Sequence, residues 1–332
     1  MESVAKGKEA VLYRLPANDT IERFILTTPE SRAICNDPLV FGVAYTTALK
    51  RAVARGLELF QKASLPVGDE RHAFILHILR GGLNFGIRDA LSEVFGWSAT
   101  TSAFISSQRA REGKEWHITE SFYKKIPVVR EADIFFGDVV ATGVSLRHAL
   151  TTLLEELAEH GGSCRSITFF TIGGDEAEAL LKNAAKRAEA VSGVSCIARV
   201  IYFEAVFGVA RDDSPLSIFI PDTDLLRHPA VLAPEFVASQ GKHITYALER
   251  CAIYDAGSRA FYPHEYLSDV REYWEKVRAL GENGMSVIQY LSERYPDDTR
   301  LADGRFRAKH ETRDSLVLLT TERLAALDIL LK

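Results

Sequence analysis

The sequence predicts an α/β fold in which a central parallel sheet is flanked by helices. Three observations lead to this prediction. Between residues 71 and 220, short apolar runs alternate with helix-length amphipathic stretches. The short runs are rich in β-branched, aromatic and leucine residues, as buried parallel strands are. The chain of 332 residues is 47% hydrophobic and 26% charged, which provides enough apolar material for a large buried core.

Five candidate strands and three candidate helices alternate along this core. The helices carry apolar residues three or four positions apart, the spacing that buries one helix face. Gly161 and Gly162 end the second helix, because glycine readily adopts the left-handed conformation that closes helices. The predicted strands are His72–Leu79, Ala99–Ser106, Ile134–Phe136, Cys164–Thr171 and Cys196–Phe203. The predicted helices are Leu83–Phe95, Ser145–His160 and Glu176–Val191.

Helical segments are predicted on both sides of this core. Residues 1–70 are interpreted as a helical N-terminal arm packed on the sheet, because Asp37–Ala63 carries an apolar stripe at helical spacing. Residues 71–229 form the predicted core domain. Residues 230–332 are predicted to be a helical C-terminal extension, which is docked rather than tethered because no low-complexity linker precedes it. Its predicted helices are Glu235–Arg250, Glu265–Leu280, Met285–Arg294 and Ser315–Leu331.

The composition and the apolar runs of the chain indicate which cellular location and which kinds of partner to expect. No apolar run approaches the roughly 20 residues that cross a bilayer, and residues 1–10 lack the apolar centre of a secretory signal. We therefore expect a cytoplasmic protein without a membrane partner. The net charge of −5 gives no general attraction to nucleic acid. The four cysteines are scattered without a CxxC pair, which favours buried reduced thiols over a zinc site or a disulfide framework.

The segment Ala132–Leu146 carries the strongest chemical signal. A buried strand leads to Asp138, then to the small residues of the 141–145 loop, and then to a helix. Small residues let the backbone approach a ligand, and amides at a helix N-terminus favour an anion. Thr142 and Ser145 add hydroxyl donors, while Asp138 can accept hydrogen bonds from sugar hydroxyls. The pattern therefore indicates joint binding of a phosphate and a ribose.

This segment resembles the phosphoribosyl pyrophosphate motif of the type I phosphoribosyltransferases, in which two acids and an apolar pair precede an Ala-Thr-Gly-Gly-Thr/Ser loop. Gly137 stands where the family usually has its first acid, and Val144 stands where it usually has a second glycine. The resemblance implies the type I phosphoribosyltransferase fold, a central parallel sheet with a hood. It also implies that the phosphoribosyl group is bound by Asp138, Ala141, Thr142, Gly143, Val144 and Ser145.

A second matching segment lies upstream, where the strand ending at Leu79 leads into Arg80, Gly81 and Gly82. The family binds pyrophosphate at the corresponding turn, and the resemblance implies these three residues for that task. The chemistry agrees, because backbone amides and a guanidinium fork supply donors from two directions.

Between these segments, residues 106–117 are polar and basic, as expected of an exposed loop or ribbon. Type I phosphoribosyltransferases carry a mobile loop here. Phe122–Pro127 is similar to a segment of the uracil-specific branch, which makes that branch the closest match. The resemblance implies that Arg109 or Arg111, rather than Lys114, approaches the departing pyrophosphate, with Arg109 also in the pyrophosphate site. A solvated charge cluster is the alternative.

Two segments, Val200–Gly208 and Leu216–Asp224, resemble the hood of uracil phosphoribosyltransferases without their run of glycines. Leu216–Asp224 is here called the hood segment. The resemblance implies base contacts from Ile218, Phe219 and Ile220. Asp222 and Asp224 are candidate ligands of magnesium or its waters, and a helix cap or solvated turn is an equally good interpretation.

Together these features predict an enzyme, a phosphoribosyltransferase that moves ribose 5-phosphate from phosphoribosyl pyrophosphate to a nitrogen of a nucleobase-like acceptor. Asp138, Arg80, Arg109 and Arg111 are its predicted catalytic residues. The resemblance implies Mg²⁺, small-molecule substrates and a homodimer. The main alternative is a non-catalytic sensor that binds phosphoribosyl pyrophosphate or a nucleotide on the same fold. A third hypothesis is a metal-dependent hydrolase with Asp222, Asp224, His228 and His264 as ligands.

Overall fold

A computed structural model gives the structure of most of the chain. It describes residues 1–17, 21–79, 81–112, 115–241, 243–251, 253–254, 262–299, 303 and 313–332, and of 107–112, 115–117, 119–122 and 313–314 it describes the backbone alone. Its helices are α1 (Pro29–Asn36), α2 (Gly42–Lys62), α3 (Ile87–Phe95), α4 (Val144–Glu159), α5 (Glu176–Ser192), α6 (Pro234–Gln240), α7 (Ile244–Leu248), α8 (Pro263–Glu282), α9 (Val287–Arg294) and α10 (Arg313–Leu330).

Ten strands form one sheet in the described part of the chain. The spatial order is β1-β2-β3-β9-β8-β7-β4-β5-β6, and β10 pairs with β9. The run from β3 to β5 is parallel, while β1, β2, β6 and β10 pair antiparallel. The strands are β1 (Glu2–Lys6), β2 (Val11–Arg14), β3 (Ile21–Thr27), β4 (Ala73–Leu79), β5 (Thr101–Glu112), β6 (Glu115–Lys125), β7 (Glu131–Val140), β8 (Ser163–Gly173), β9 (Ile197–Val209) and β10 (Leu225–Leu232).

Helices cover both faces of this sheet, which explains why its central strands are apolar throughout. On one face α2 packs so closely that a Cβ at Gly56 would lie 2.6 Å from Leu26 of β3. On the other face α5 meets β9, where Tyr202 donates a hydrogen bond to Glu178 at 3.0 Å. The predicted α/β architecture is therefore confirmed, as are the five core strands and three core helices within a few residues of their ends.

The N-terminal prediction was only partly right. Residues 42–62 form the expected amphipathic helix, but residues 2–6, 11–14 and 21–27 are not helical and add the strands β1, β2 and β3 to the sheet. These strands are short, and β3 gains its place by parallel pairing with β9, about 180 residues further along the chain. Pairing of this kind is decided by tertiary contacts, so local sequence pattern does not reveal it.

After β10, which continues to Leu232 and so enters the predicted extension, the regular elements described in the C-terminal extension are helices, and the extension is docked. The predicted helix over 235–250 is divided into α6 and α7, with Gly241 between them. Buried side chains from the N-terminal strands to Leu327 belong to one continuous hydrophobic core. The domain boundaries at 70 and 229 stay predictions. All four cysteines are buried and free, and no helix in the described residues is long and apolar enough to cross a membrane.

A buried carboxylate joins β3, α1 and β9. Glu204 is fully buried in a β9 bulge and has a φ of 65°. Its carboxylate accepts hydrogen bonds from the Thr27 hydroxyl at 2.7 Å, the Thr28 amide at 2.9 Å and the Ser31 hydroxyl. Burial raises the pKa of Glu204 from 4.5 to about 7, although these three donors oppose the rise.

This group should make stability depend on pH. The native state keeps a proton on Glu204 up to about pH 7, whereas the unfolded chain releases it near pH 4.5, so unfolding releases a proton between these values. The free energy of unfolding should therefore fall as pH rises through this window, by up to about 3 kcal/mol, and level off above it. Urea unfolding of wild type and Glu204→Gln across this range tests the prediction. An unchanged difference between the two proteins at pH 4.5 and pH 8 would contradict it.

Candidate active site

The two segments with predicted phosphate chemistry follow neighbouring strands. β4 and β7 pair in parallel, with Ala73 opposite Asp133 and Ile75 opposite Phe135. Because the carboxyl ends of parallel strands meet at one edge of a sheet, the turn after β4 and the loop after β7 lie side by side. This edge is where ligands bind in open α/β sheets.

The 141–145 loop connects β7 to the N-terminus of α4. Gly143 is the residue before the helix and has a φ of 73°, a conformation that side chains rarely adopt. A Cβ at this position would also lie 2.8 Å from Leu180 of α5. The N-cap residue Gly143 has no side chain with which to cap the first amides of α4, and residues 141, 142, 144 and 145 are half-buried. The loop thus has the small residues and helix-terminal amides that a phosphate requires.

Asp138 lies near the carboxyl end of β7, beside this loop. Its side chain is half-buried, and one carboxylate oxygen accepts the Val139 amide at 2.9 Å. Thr171 of β8 donates to the Asp138 carbonyl at 2.9 Å and so holds the backbone in place. The Val139 amide therefore positions the carboxylate, Thr171 positions the backbone, and the residue remains partly exposed at the site edge.

Gly137 is required by packing. A Cβ at this position would lie 2.2 Å from two atoms of the Phe85 ring. Phe85 is fully buried, and its ring centroid lies 6.3 Å from that of Phe203. The space that an acid at position 137 would need is therefore filled by an aromatic ring from the segment before α3.

The predicted pyrophosphate turn contacts the same strand. Gly81–Leu83 forms a single 3-10 turn, and Gly82 is buried. A Cβ at Gly82 would lie 3.2 Å from the carbonyl oxygen of Gly137, so the turn packs directly on β7. Arg80 lies outside the described residues. The structure thus brings the glycine turn and the segment Ala132–Leu146 together.

The basic segment between them forms an antiparallel ribbon. β5 pairs with β6, with Arg109 opposite Ile118 and Arg111 opposite Trp116. This agrees with the ribbon interpretation of residues 106–117. The side chains of Arg109 and Arg111 lie outside the description, as does Lys114, so their roles stay predictions.

The hood segment contains no strand. It runs over residues 216–224 without regular structure, and Ser217 donates to Glu293 of α9 from its amide at 3.0 Å and its hydroxyl at 2.7 Å. Ile218 and Phe219 are half-buried and Ile220 is 37% exposed. The hood segment is therefore tied to the C-terminal extension, and its contacts with a base stay a prediction.

The candidate metal ligands already face arginines. Asp222 accepts from Arg211 at 2.7 Å, and buried Asp224 accepts the Ile220 amide at 2.9 Å and lies 3.5 Å from Arg250. A cation bound at this pair would have to displace or oppose these guanidiniums. In the described part of the chain, the group of three acids and histidines close enough to share an ion is Glu156, Glu159 and His160. The ligand set of the hydrolase hypothesis does not converge.

A charged pair beside the 141–145 loop was missed at the sequence level. Glu176, the first residue of α5, is bonded to Arg211, and its Cβ lies 3.9 Å from the ideal Cβ of Gly143. Burial raises the pKa of Glu176. The signal was present, because Gly173-Gly174 after β8 is a third strand–glycine–helix turn. Arg211 therefore joins Glu176 to Asp222 of the hood segment at the site edge.

His77 was also not anticipated. It is buried in β4, stacks on Phe104 with ring centroids 4.8 Å apart, and its Cα lies 3.5 Å from the ideal Cβ of Gly82. Burial lowers the pKa of His77, which favours the neutral imidazole. The residue supports the glycine turn as a packed ring.

Comparison with known proteins gives matches among solved structures alone. No protein-family model matches this chain, and no curated protein matches it. The structural matches include adenine phosphoribosyltransferase from Trypanosoma brucei (11% identity, 57% of this chain and 86% of that chain, TM-score 0.34). Another match is orotate phosphoribosyltransferase from Aeropyrum pernix, with 14% identity over 48% of this chain and 77% of that chain and a TM-score of 0.27. A third is hypoxanthine-guanine phosphoribosyltransferase from Bacillus anthracis, with 14% identity over 39% of this chain and 67% of that chain and a TM-score of 0.25. Similarities this low do not by themselves assign the chain to a family.

Proposed function

We propose that this protein is a phosphoribosyltransferase that transfers ribose 5-phosphate from phosphoribosyl pyrophosphate to a nitrogen of a nucleobase-like acceptor. The observation that supports this most strongly is the packing of Gly82 over the Gly137 carbonyl. It sets a glycine turn suited to pyrophosphate beside a helix N-terminus suited to a phosphate monoester. Two anion sites with a carboxylate between them match a donor that has phosphates at both ends of a ribose.

In this proposal each element has one task. The amides and hydroxyls of the 141–145 loop hold the 5′-phosphate, and Asp138 accepts a hydrogen bond from a ribose hydroxyl. Arg80 and the glycine turn bind the pyrophosphate, and Arg109 or Arg111 of the ribbon balances its charge as it leaves. Placing donor and acceptor in line lowers the barrier without side-chain acid or base chemistry. Ile218, Phe219 and Ile220 of the hood segment contact the base.

We also propose that Mg²⁺ binds together with the donor, phosphoribosyl pyrophosphate. It binds proteins through one or two carboxylates together with substrate phosphates, and it neutralises the charge of a departing pyrophosphate. Asp138 is the half-exposed carboxylate between the two anion sites. Asp222 and Asp224 could bind Mg²⁺ only if their ion pairs with Arg211 and Arg250 were broken. A homodimer in the cytoplasm also remains a proposal.

A second candidate function is a sensor that binds the same donor without transfer. Phe85 favours it, because the ring excludes an acid at position 137. The hydrogen bond between Ser217 and Glu293 would couple a change in the hood segment to the C-terminal helices. Transfer is preferred because simple binding does not require Arg80 or a basic ribbon beside the leaving group.

Pyrophosphate release distinguishes the two functions. With phosphoribosyl pyrophosphate and Mg²⁺, a panel of nucleobases should give release with at least one base, and uracil heads the panel because Phe122–Pro127 resembles the uracil branch. Arg80→Ala should lower this release by about 10- to 100-fold, the effect of losing one charge-assisted hydrogen bond. Arg71→Ala, which removes an exposed arginine at the other end of β4, serves as the control. Binding of the donor without release for any base would support the sensor.

A further inference from the structure

Two buried cysteines meet where strands β8 and β9 begin. Cys164 is the second residue of β8, and Cys196 immediately precedes β9. Their sulfur atoms lie 3.5 Å apart, and both residues are free thiols. Neighbouring strands are about 4.8 Å apart, which falls within the range of about 4.4 to 6.8 Å that the Cα atoms of a disulfide span. The two sulfurs are therefore close enough to be joined by rotation of their side chains.

An extra residue in β8 brings this pair together. Arg165 is bulged out of the β7–β8 ladder, between Cys164 and Ser166. On the other side of β8, Ser166 pairs with Ile197. Cys164 precedes this pair by two residues, whereas Cys196 precedes it by one. The bulge compensates for the extra residue, so the two side chains come into contact although their positions in the strands differ.

The surroundings of this pair differ from those of the other two cysteines. Residues 195 and 197 on either side of Cys196 are exposed, and Cys164 lines a small cleft between the ends of α4 and α5. A small movement of this surface therefore admits a small oxidant. Cys35 and Cys251 are next to buried residues instead, and the Cys251 thiol donates to the Cys35 carbonyl at 3.4 Å.

The four thiols also differ in acidity. The hydrogen bond between the two sulfurs lowers the pKa of Cys196 and raises the pKa of Cys164. Burial raises the pKa of both Cys35 and Cys251. Because the thiolate is the form that reacts with peroxides, Cys196 is favoured to react first. Cys164, in contact with it, is then the second thiol that completes a disulfide.

We propose that Cys164 and Cys196 form a reversible redox site, which hydrogen peroxide oxidises to a disulfide that stabilises the protein. The Cys196 thiolate attacks one peroxide oxygen and the O–O bond breaks. The released hydroxide takes up the proton that Cys196 gave up and leaves as water. The Cys164 sulfur then attacks the sulfenic acid at Cys196, so that an S–S bond replaces the S–O bond and the Cys164 proton leaves with hydroxide as a second water. The two sulfurs lose two electrons in total, and the peroxide gains them.

The disulfide closes the chain around α5. It joins the start of β8 to the start of β9, and a cross-link over about 30 residues stabilises a protein by restricting its unfolded chain. The 141–145 loop lies at the carboxyl ends of the parallel strands, which is the opposite edge of the sheet. Oxidation should therefore change the stability of the protein rather than the candidate active site.

Peptide mapping identifies the product of oxidation. The reduced chain, freed of reductant, is treated with hydrogen peroxide, alkylated, and digested without reduction. Mass spectrometry should show Cys164 linked to Cys196, with Cys35 and Cys251 still free, and dithiothreitol should restore all four thiols. Cys35→Ala is the matched control and should form the same link, whereas Cys164→Ala should form none. Oxidation of Cys35 or Cys251 before the link forms, or of Cys196 to a sulfinic acid without a link in wild type, would overturn the proposal.

Thermal unfolding measures the consequence of the link. Oxidised wild type should unfold about 3 to 6 °C above the reduced protein. Cys164→Ala, given the same peroxide treatment, should show no such rise, which separates the link from oxidation elsewhere in the chain. If Cys164→Ala fails to fold, Cys196→Ala replaces it with the same expectation. An unchanged or lower Tm of linked wild type would contradict the stabilising role of the disulfide.

Discussion

Asp138→Asn should reduce pyrophosphate release by about 10- to 100-fold while the protein stays folded. The change keeps the shape of the side chain but replaces a charged acceptor of sugar hydroxyls by an amide, and a hydrogen bond to a charged group contributes about 1.5 to 3 kcal/mol. Folding should survive because Asp138 is half-exposed and the retained amide oxygen can still accept from Val139. Steady-state rates with the best acceptor base, together with thermal unfolding, provide the measurement.

Asp89→Asn is the matched control for this variant. Asp89 lies on the exposed side of α3 and forms a solvent-screened pair with Lys50 at 3.5 Å, so the same chemical change there should alter neither rate nor stability measurably. Full activity of Asp138→Asn would remove Asp138 from the site. Loss of activity in both variants would point to a general effect rather than to ribose binding.

Gly137→Ala should destabilise the protein by about 3 kcal/mol, because its Cβ would overlap the Phe85 ring. The ring is fully buried, so it has no free space into which it can move. Gly137→Asp should destabilise the protein further. Although it introduces the acid that the family pattern carries at this position, it should not raise activity, because the side chain has no space beside Phe85. Urea unfolding of the alanine variant measures the effect. Gly7→Ala, whose Cβ would meet its nearest neighbour at an ordinary 3.6 Å, is the control and should change stability little.

A double variant tests whether Phe85 causes this effect. Phe85→Ala alone should cost about 3 to 5 kcal/mol because it leaves a cavity in the core. Combined with Gly137→Ala, the new methyl group occupies part of the space that the ring left. The double variant should therefore be more stable than the sum of the single effects predicts, by at least about 1 kcal/mol. Strict additivity would show that the two positions do not compete for space.

Local sequence pattern was sufficient to predict much of the fold. The core strands and the 141–145 loop were predicted correctly because their signals lie within a few consecutive residues, such as an apolar run followed by small residues and a helix start. The strands over residues 2–27 were missed because β3 is stabilised by β9, which is distant in sequence. The reason for Gly137 was hidden in the same way, since the ring that excludes a side chain comes from a residue about 50 positions earlier.

The charged features depended even more on the folded structure. Glu176 and Arg211 come together because α5 and the segment after β9 meet beside the loop. Glu176 follows the Gly173-Gly174 turn, but no local pattern marks Arg211 as its partner. Sequence spacing therefore predicted the 141–145 loop, whereas the ion pair beside it required the three-dimensional arrangement.

Direct titration with phosphoribosyl pyrophosphate in the presence of Mg²⁺ tests the central claim most directly. Calorimetry of the wild-type protein should show saturable binding with one donor per chain, and Thr142→Ala with Ser145→Ala should weaken it about tenfold or more, because two hydroxyl donors to the phosphate are lost. Ser192→Ala, at the far end of α5, should bind like wild type. Absence of saturable binding by the wild-type protein, or equal binding by the loop variant, would contradict the assignment of this edge of the sheet as a phosphoribosyl pyrophosphate site.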